Sequence, residues 1–162
     1  MIVKKRHIRI DAENWINDPE QAHVDVVVTF PDATRWISNF YTIPCIESMR
    51  KDYLTSGACL DGAYWCASTP VIIVDTINRE RIEQVVDDLI EKEGFPYVFE
   101  YFGSVEERDL ESSDYPPDFF DKGFRMDPWY ISWHAVRMKQ MLDQANVDVR
   151  ERLKEQLFGE YS

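Results

Sequence analysis

The chain has 162 residues, 44% of them hydrophobic and 14% aromatic, with 30 Asp and Glu against 18 Lys and Arg for a net charge of −12. That length supports one domain with a sizeable core, and the composition is that of a folding chain. The charge argues against direct nucleic-acid binding and against an anionic membrane surface, both of which need positive charge at the contact. No run approaches the roughly 18 apolar residues of a membrane helix.

The first fifteen residues, MIVKKRHIRIDAENW, carry basic side chains with no apolar stretch behind them, so no secretory signal is expected. Three cysteines, an odd number, give no disulfide framework. Free and mostly buried thiols in a reducing cytoplasm are the expectation.

In chain order, Lys4 to Ile10 reads as a first strand. Ala12 to Ala22 is polar and contains Pro19, which predicts a loop or one helical turn, with Trp15 and Ile16 as candidates to pin it to the core. HVDVVVTF and TRWISNFYT flank Pro31-Asp32-Ala33, which predicts a hairpin with a proline-led turn. In its second arm Trp36 and Phe40 share one face, and Ile37 and Tyr41 the other. Thr42 is placed to cap a helix that Pro44 opens and that runs to about Leu54, stopped by Ser56-Gly57. Cys59 to Gly62 reads as a turn into a strand from Ala63 to Ser68. That strand would pair antiparallel with Val71–Val74 or continue into it past Pro70. Val71–Val74 is apolar and β-branched without alternation, which suits a strand covered on both faces.

The next helix carries the clearest pattern. Ile82, Val85, Val86, Leu89 and Ile90 make one apolar stripe on the 3.6-residue period. Asn78 is placed as its cap, Ile77 and Ile82 have hydrophobic-staple spacing, and Gly94 is expected to supply the left-handed residue that ends it. Tyr97 to Phe102 reads as a last strand. From Gly103 to Gly123 carboxylates and Pro116-Pro117 without a period predict an exposed loop. Asp127-Pro128 should start a well-buried helix to about Ala145 that includes Trp129, Trp133, Met141 and Leu142, and Asn146 should cap a last one.

The fold class is therefore α+β: an antiparallel sheet of about four to five strands packed by helices, with two C-terminal helices. One domain is expected over 1–162, with a sheet-and-helix core at about 1–102, an acidic loop at about 103–123 and a helical pair at about 127–159.

The negative charge is local. Residues 80–121 hold fourteen Asp and Glu against three Lys and Arg, a net of −11, which leaves −1 for all the rest. A local field of that sign steers a basic partner. Tyr115, Phe119 and Phe120 lie among the carboxylates of the loop, and aromatic anchors inside a charged rim suit protein binding. Candidate partner-binding residues are Glu106, Glu107, Asp109, Glu111, Asp114 and Asp118 as steering charges, with Tyr115 and Phe119 as anchors. The bland alternative is a solvated polar helix face, with the aromatics folded back onto the core.

No phosphate-cradling glycine loop, H-E-x-x-H, G-x-S-x-G or EF-hand spacing occurs. Cys45, Cys59 and Cys66 with His134 lack zinc-site spacing, so no metal and no cofactor is expected. A Cys66–His134 nucleophile pair has no spacing to select it over buried thiols and a core histidine. A second reading is a small enzyme or ligand binder with a pocket lined by Trp36, Tyr64, Trp65, Asp75 and His134.

From Thr34 to Leu89, T-R-W-I-S-N-F-Y-T, I-E-S-M-R, S-G-A-C-L-D-G-A-Y-W-C-A-S and N-R-E-R-I-E-Q-V-V-D-D-L-I follow in an order that resembles a family of small bacterial proteins of no assigned function. The likeness covers about a third of the chain. Its shared residues are glycines, aromatics and core aliphatics, so it implies a fold and transfers no site. In composition alone the chain is also similar to acidic bacterial immunity proteins and phage-encoded inhibitors. That likeness implies a cytoplasmic, non-enzymatic protein that neutralises a basic toxin or nucleic-acid-acting enzyme.

Overall fold

The computed structural model describes residues 5–106, 110, 114–121, 123–124, 140–149 and 152. The chain divides into two compact units, residues 1–124 and 125–162. The acidic segment therefore belongs to the first unit.

The first unit is α+β. Its five strands are β1 (His7–Ile10), β2 (His23–Thr29), β3 (Thr34–Thr42), β4 (Val71–Val74) and β5 (Glu100–Ser104), and its helices are α1 (Ile43–Ser56), α2 (Arg79–Glu91) and the single turn α3 (Phe95–Val98). β3 is the axis of the sheet. β2 flanks it from Arg35 to Tyr41 on one side, with β1 beyond. On the other side β5 pairs antiparallel with its first half and β4 pairs parallel with its second. The antiparallel partner expected for β4 is absent, because residues 63–70 form no strand. That stretch runs irregularly back to β3, where Asn39 N donates to Pro70 O at 2.9 Å and Ser38 Oγ to the same oxygen at 3.1 Å. β4 is thus the terminal strand of the sheet, and Ile73 is 54% exposed, contrary to a strand covered on both faces.

Strand alternation assigns the two faces. Ile8, Val28 and Trp36 lie in register, as do Ile10, Val26 and Ser38, and Val24 pairs with Phe40. All are buried, and Ile82 and Val86 of α2 are buried with them. The aromatic centre of this core joins Trp36 and Phe30 to Phe95 at 5.9 and 5.5 Å, with Phe95 stacked on Phe99 at 4.2 Å. α3 exists to deliver Phe95 and Phe99, and it replaces the first residues of the strand expected from Tyr97.

Local chemistry explains the helix ends. Asn78 Oδ1 accepts from Arg81 N at 2.8 Å, and both staple residues, Ile77 and Ile82, are fully buried. Thr42 Oγ1 accepts from Cys45 N at 3.4 Å to cap α1, and Gly57 ends it with φ +76°. The end of α2 differs from expectation. Glu93, at φ +58°, is the left-handed residue. Gly94 is right-handed because it opens α3, and a Cβ there would crowd a Leu89 methyl at 3.3 Å. After α1, Cys59, Leu60 and Asp61 make a left-handed turn that Gly62 closes. Arg50 Nε donates to Gly62 O at 3.0 Å, and a Cβ on Gly62 would lie 2.4 Å from Arg50 O. The loop before β2 holds one 3-10 turn, but Trp15 is 82% exposed and pins nothing.

In the second unit residues 140–149 are helical without interruption. Asn146 lies inside that run and does not cap a new helix. Met141 and Leu142 are exposed, contrary to the buried arc expected of them. The Asp127-Pro128 start, Trp129, Trp133 and residues 153–159 lie outside the described residues.

Candidate functional site

The candidate acidic surface has two parts, the polar face of α2 and the segment 114–121. They differ in how their charge is disposed.

On α2 the carboxylates are largely matched from within the chain. Asp87 takes a two-pronged contact from Arg6, and Glu83 lies 4.0 Å from Arg6 and 3.4 Å from Arg79. Arg79 also clamps Glu13, at 2.6 and 2.8 Å. Those bonds hold its guanidinium above the usual arginine range. Asp88 lies 2.7 Å from Lys92, whose ammonium it holds above its usual value, and Asp75 lies 2.9 Å from Arg81. Exposed pairs of this kind contribute little to stability, but each cancels a charge that a distant partner would otherwise feel. The cations responsible are separated from their partners in sequence by up to 81 positions.

The segment 114–121 is built differently. Pro116 and Pro117 restrict its backbone, Phe119 N donates to Pro116 O at 3.1 Å, and Asp118 takes the left-handed conformation that a short polar side chain tolerates. Asp121 N donates to Pro31 O at 3.1 Å, which ties the segment to the β2–β3 turn. Tyr115 stacks on Phe119 at 5.6 Å and lies 4.6 Å from the His7 ring, and its hydroxyl is 3.3 Å from Thr29 Oγ1. The segment thereby covers the His7–Thr29 end of the sheet face opposite α2. Burial under these rings lowers the His7 pKa from its ordinary value, and a hydrogen bond with the Asp114 backbone opposes the shift.

Of the candidate residues, Glu106, Asp114 and Asp118 are exposed. Asp114 and Asp118 make no ion pair among the described residues. Glu107, Asp109 and Glu111 lie outside the described residues. Of the two anchors, Phe119 is only 7% exposed and Tyr115 is half-buried, and both rings help to shape the segment. Phe120, 36% exposed and edge-on to both rings at 4.9 and 5.2 Å, is the aromatic left facing solvent. Contacts with His7 of β1 and with Tyr115 hold Phe119 inside.

Trp36 is 2% exposed inside the core, Asp75 is a surface group paired with Arg81, Trp65 is packed edge-on against Tyr41 at 4.8 Å, and His134 lies outside the described residues. Among the described residues no cluster of three or more His, Cys, Asp or Glu is arranged to hold a metal ion. A thiol–imidazole contact that the sequence did not single out exists between Cys45 Sγ and His23 Nδ1, at 3.6 Å. Burial pushes the Cys45 thiol up from its ordinary value, which disfavours the nucleophilic thiolate. Among the described residues no helix is long and apolar enough to cross a membrane.

Compared with protein-family models, curated proteins and solved structures, the chain matches none.

Proposed function

We propose that this chain is a non-enzymatic binding protein that uses the acidic segment around residues 106–121 to dock a basic protein, in the manner of an immunity or inhibitor protein. The observation that carries the reading is the contrast between the two acidic regions. The α2 carboxylates Glu83, Asp87 and Asp88 are matched by the chain's own cations, while Asp114 and Asp118 are exposed and make no ion pair among the described residues, on a segment held in shape by Phe119 and Tyr115. A preorganised segment loses little conformational freedom on binding, and its field accelerates encounter with a cation. Phe120 supplies apolar contact at the centre of that patch.

The test is a pull-down from host lysate at low salt with the wild-type chain and with Asp114→Asn/Asp118→Asn/Asp121→Asn. A basic protein retained by the former, released as salt rises and lost with the triple variant supports the reading. Retention of no basic protein, or equal retention by the variant, sinks it.

A further inference from the structure

The acidic segment lies against one titratable side chain. His7 opens β1 and stands opposite Thr29 of β2. The Tyr115 ring covers it at 4.6 Å, and Phe119 meets it edge-on at 6.1 Å. The ring also bonds the Asp114 backbone, and that bond favours the protonated ring, so the imidazole donates and the carbonyl accepts. Nδ1 is buried and has no hydrogen-bond partner among the described residues, which makes Nε2 the donor. The neutral ring suits this site, because its one N–H is satisfied. A second proton goes to Nδ1, where it creates a charged, buried N–H with no acceptor. The surrounding charges do not offset that cost. Asp114 favours a positive ring, but Arg79 from α2 and Arg9 from β1 oppose it. Arg6, Glu13 and Glu83 line a cavity of about 470 Å³ beside the ring, and they belong to balanced ion pairs with one another and with Arg79. Thr29 brings a hydroxyl and no charge. Burial is the largest influence on the ring and favours its neutral form.

We propose that His7 is a proton-operated latch: while its ring is neutral, residues 114–121 lie closed on the end of the sheet, and protonation of Nδ1 releases them. The Asp114 bond and the contact of the Tyr115 hydroxyl with Thr29 Oγ1 both lie beside this ring, so both are disturbed when the ring must reach water. Asp121 N is tied to Pro31 O at 3.1 Å at the far end of the segment. Tyr115, Phe119 and Phe120 pack on one another, which makes the segment move as a unit. The consequence for binding rests on the reading of this segment as the docking surface. An open segment has to be ordered again by the partner, so capture weakens as pH falls. The conformational step itself needs no partner.

The experiment is amide hydrogen exchange on the full chain at about pH 7.5 and about pH 5.5, expressed as protection relative to unstructured peptide so that the intrinsic pH dependence cancels. A histidine that titrates near pH 6.5 when released and stays neutral when closed shifts the opening equilibrium by up to about tenfold over that interval. The expected result is a loss of about three- to tenfold in protection at the Phe119 and Asp121 amides, with Val26 to Val28 of β2 unchanged. In His7→Gln, which stays neutral, protection should not change with pH. A second measurement covers the case in which that variant opens the segment at both pH values. The His7 imidazole, titrated by NMR, should have its midpoint below about 6.5 in wild type and move back toward it in Tyr115→Ala. Protection in wild type that ignores pH overturns the proposal, as does an equal fall in His7→Gln or a wild-type midpoint at or above about 6.5. The low-salt pull-down at both pH values separates the latch from the docking reading. Capture of a basic protein that is lost at the acid value in wild type but not in His7→Gln supports the coupling. Equal capture at both values by a segment that opens overturns it. Opening by exchange with no capture at either value supports the latch and sinks the docking reading.

Discussion

Arg6 and Asp87 close a two-pronged ion pair across 81 positions of sequence, Nε to Oδ1 at 2.6 Å and Nη2 to Oδ2 at 3.0 Å. The Arg6 side chain is only 17% exposed, so the contact clasps the lead-in of β1 to the polar face of α2 and removes one carboxylate from the field that solvent sees. Replacement Arg6→Ala should lower stability by about 1 kcal/mol, within the range of a partly buried charge-assisted pair. Urea unfolding measures this, and an unmoved midpoint would mean that the pair contributes nothing.

Phe119 and Phe120 should respond oppositely. Phe119→Ala empties a buried site against Tyr115 and His7 and should cost about 3 kcal/mol. Phe120→Ala should cost under about 1 kcal/mol because its ring faces solvent, while weakening capture of the basic partner. Thermal melts of both variants, read beside the pull-down, decide the assignment. The reverse order of stabilities would restore Phe119 as the exposed anchor.

His7 makes the docking of segment 114–121 sensitive to pH. Burial depresses its folded pKa below the unfolded value of about 6.5, against the opposing Asp114 backbone bond and with smaller contributions from Arg79, the Asp114 charge and Arg9. The unfolded chain therefore takes up a proton first as pH falls. Stability from this site is complete above about pH 6.5 and declines as pH drops from there through the folded value. Unfolding midpoints of wild type and His7→Gln, compared from about pH 7.5 to about pH 5, should converge toward the acid end. A constant gap between the two proteins would remove His7 as the cause.

Gly62 is the position least able to accept a side chain. Its φ of +76° and the 2.4 Å approach to Arg50 O mean that even a methyl group must move backbone. Gly62→Ala should cost more than about 2 kcal/mol, since strain and steric displacement add. Gly57→Ala, where the nearest atom is 3.7 Å away, should cost less. Equal losses at the two sites would show that conformation alone, and not the close approach, sets the penalty.

The elements that could be read from sequence are those whose cause is local. The Asn78 cap and the stripe of Ile82, Val85, Val86, Leu89 and Ile90 act within a few residues of one another, so α2 formed where its spacing predicted. The β2–β3 hairpin and the Thr42 cap belong to the same class. The α+β class followed from the order of these elements. Gly94 was misread because its own role depends on what comes next: the chain turns at Glu93 so that α3 can carry Phe95 into the core.

The candidate site was legible as charge and not as surface. Composition alone located fourteen carboxylates between residues 80 and 121. Which of them are silenced depends on Arg6 and Arg79 folding back from distant positions, and no local pattern encodes that.

By itself, then, the sequence determined the helices, the hairpin, the fold class and the location of negative charge, because caps, periods and composition act over one or two turns of chain. Tertiary structure alone decided that β4 ends the sheet beside β3, that Phe119 lies inside and Phe120 outside, and that Glu83, Asp87 and Asp88 of α2 are matched while Asp114 and Asp118 make no ion pair among the described residues. Those outcomes turn on contacts between residues far apart in sequence, which exist only once the chain has closed on itself.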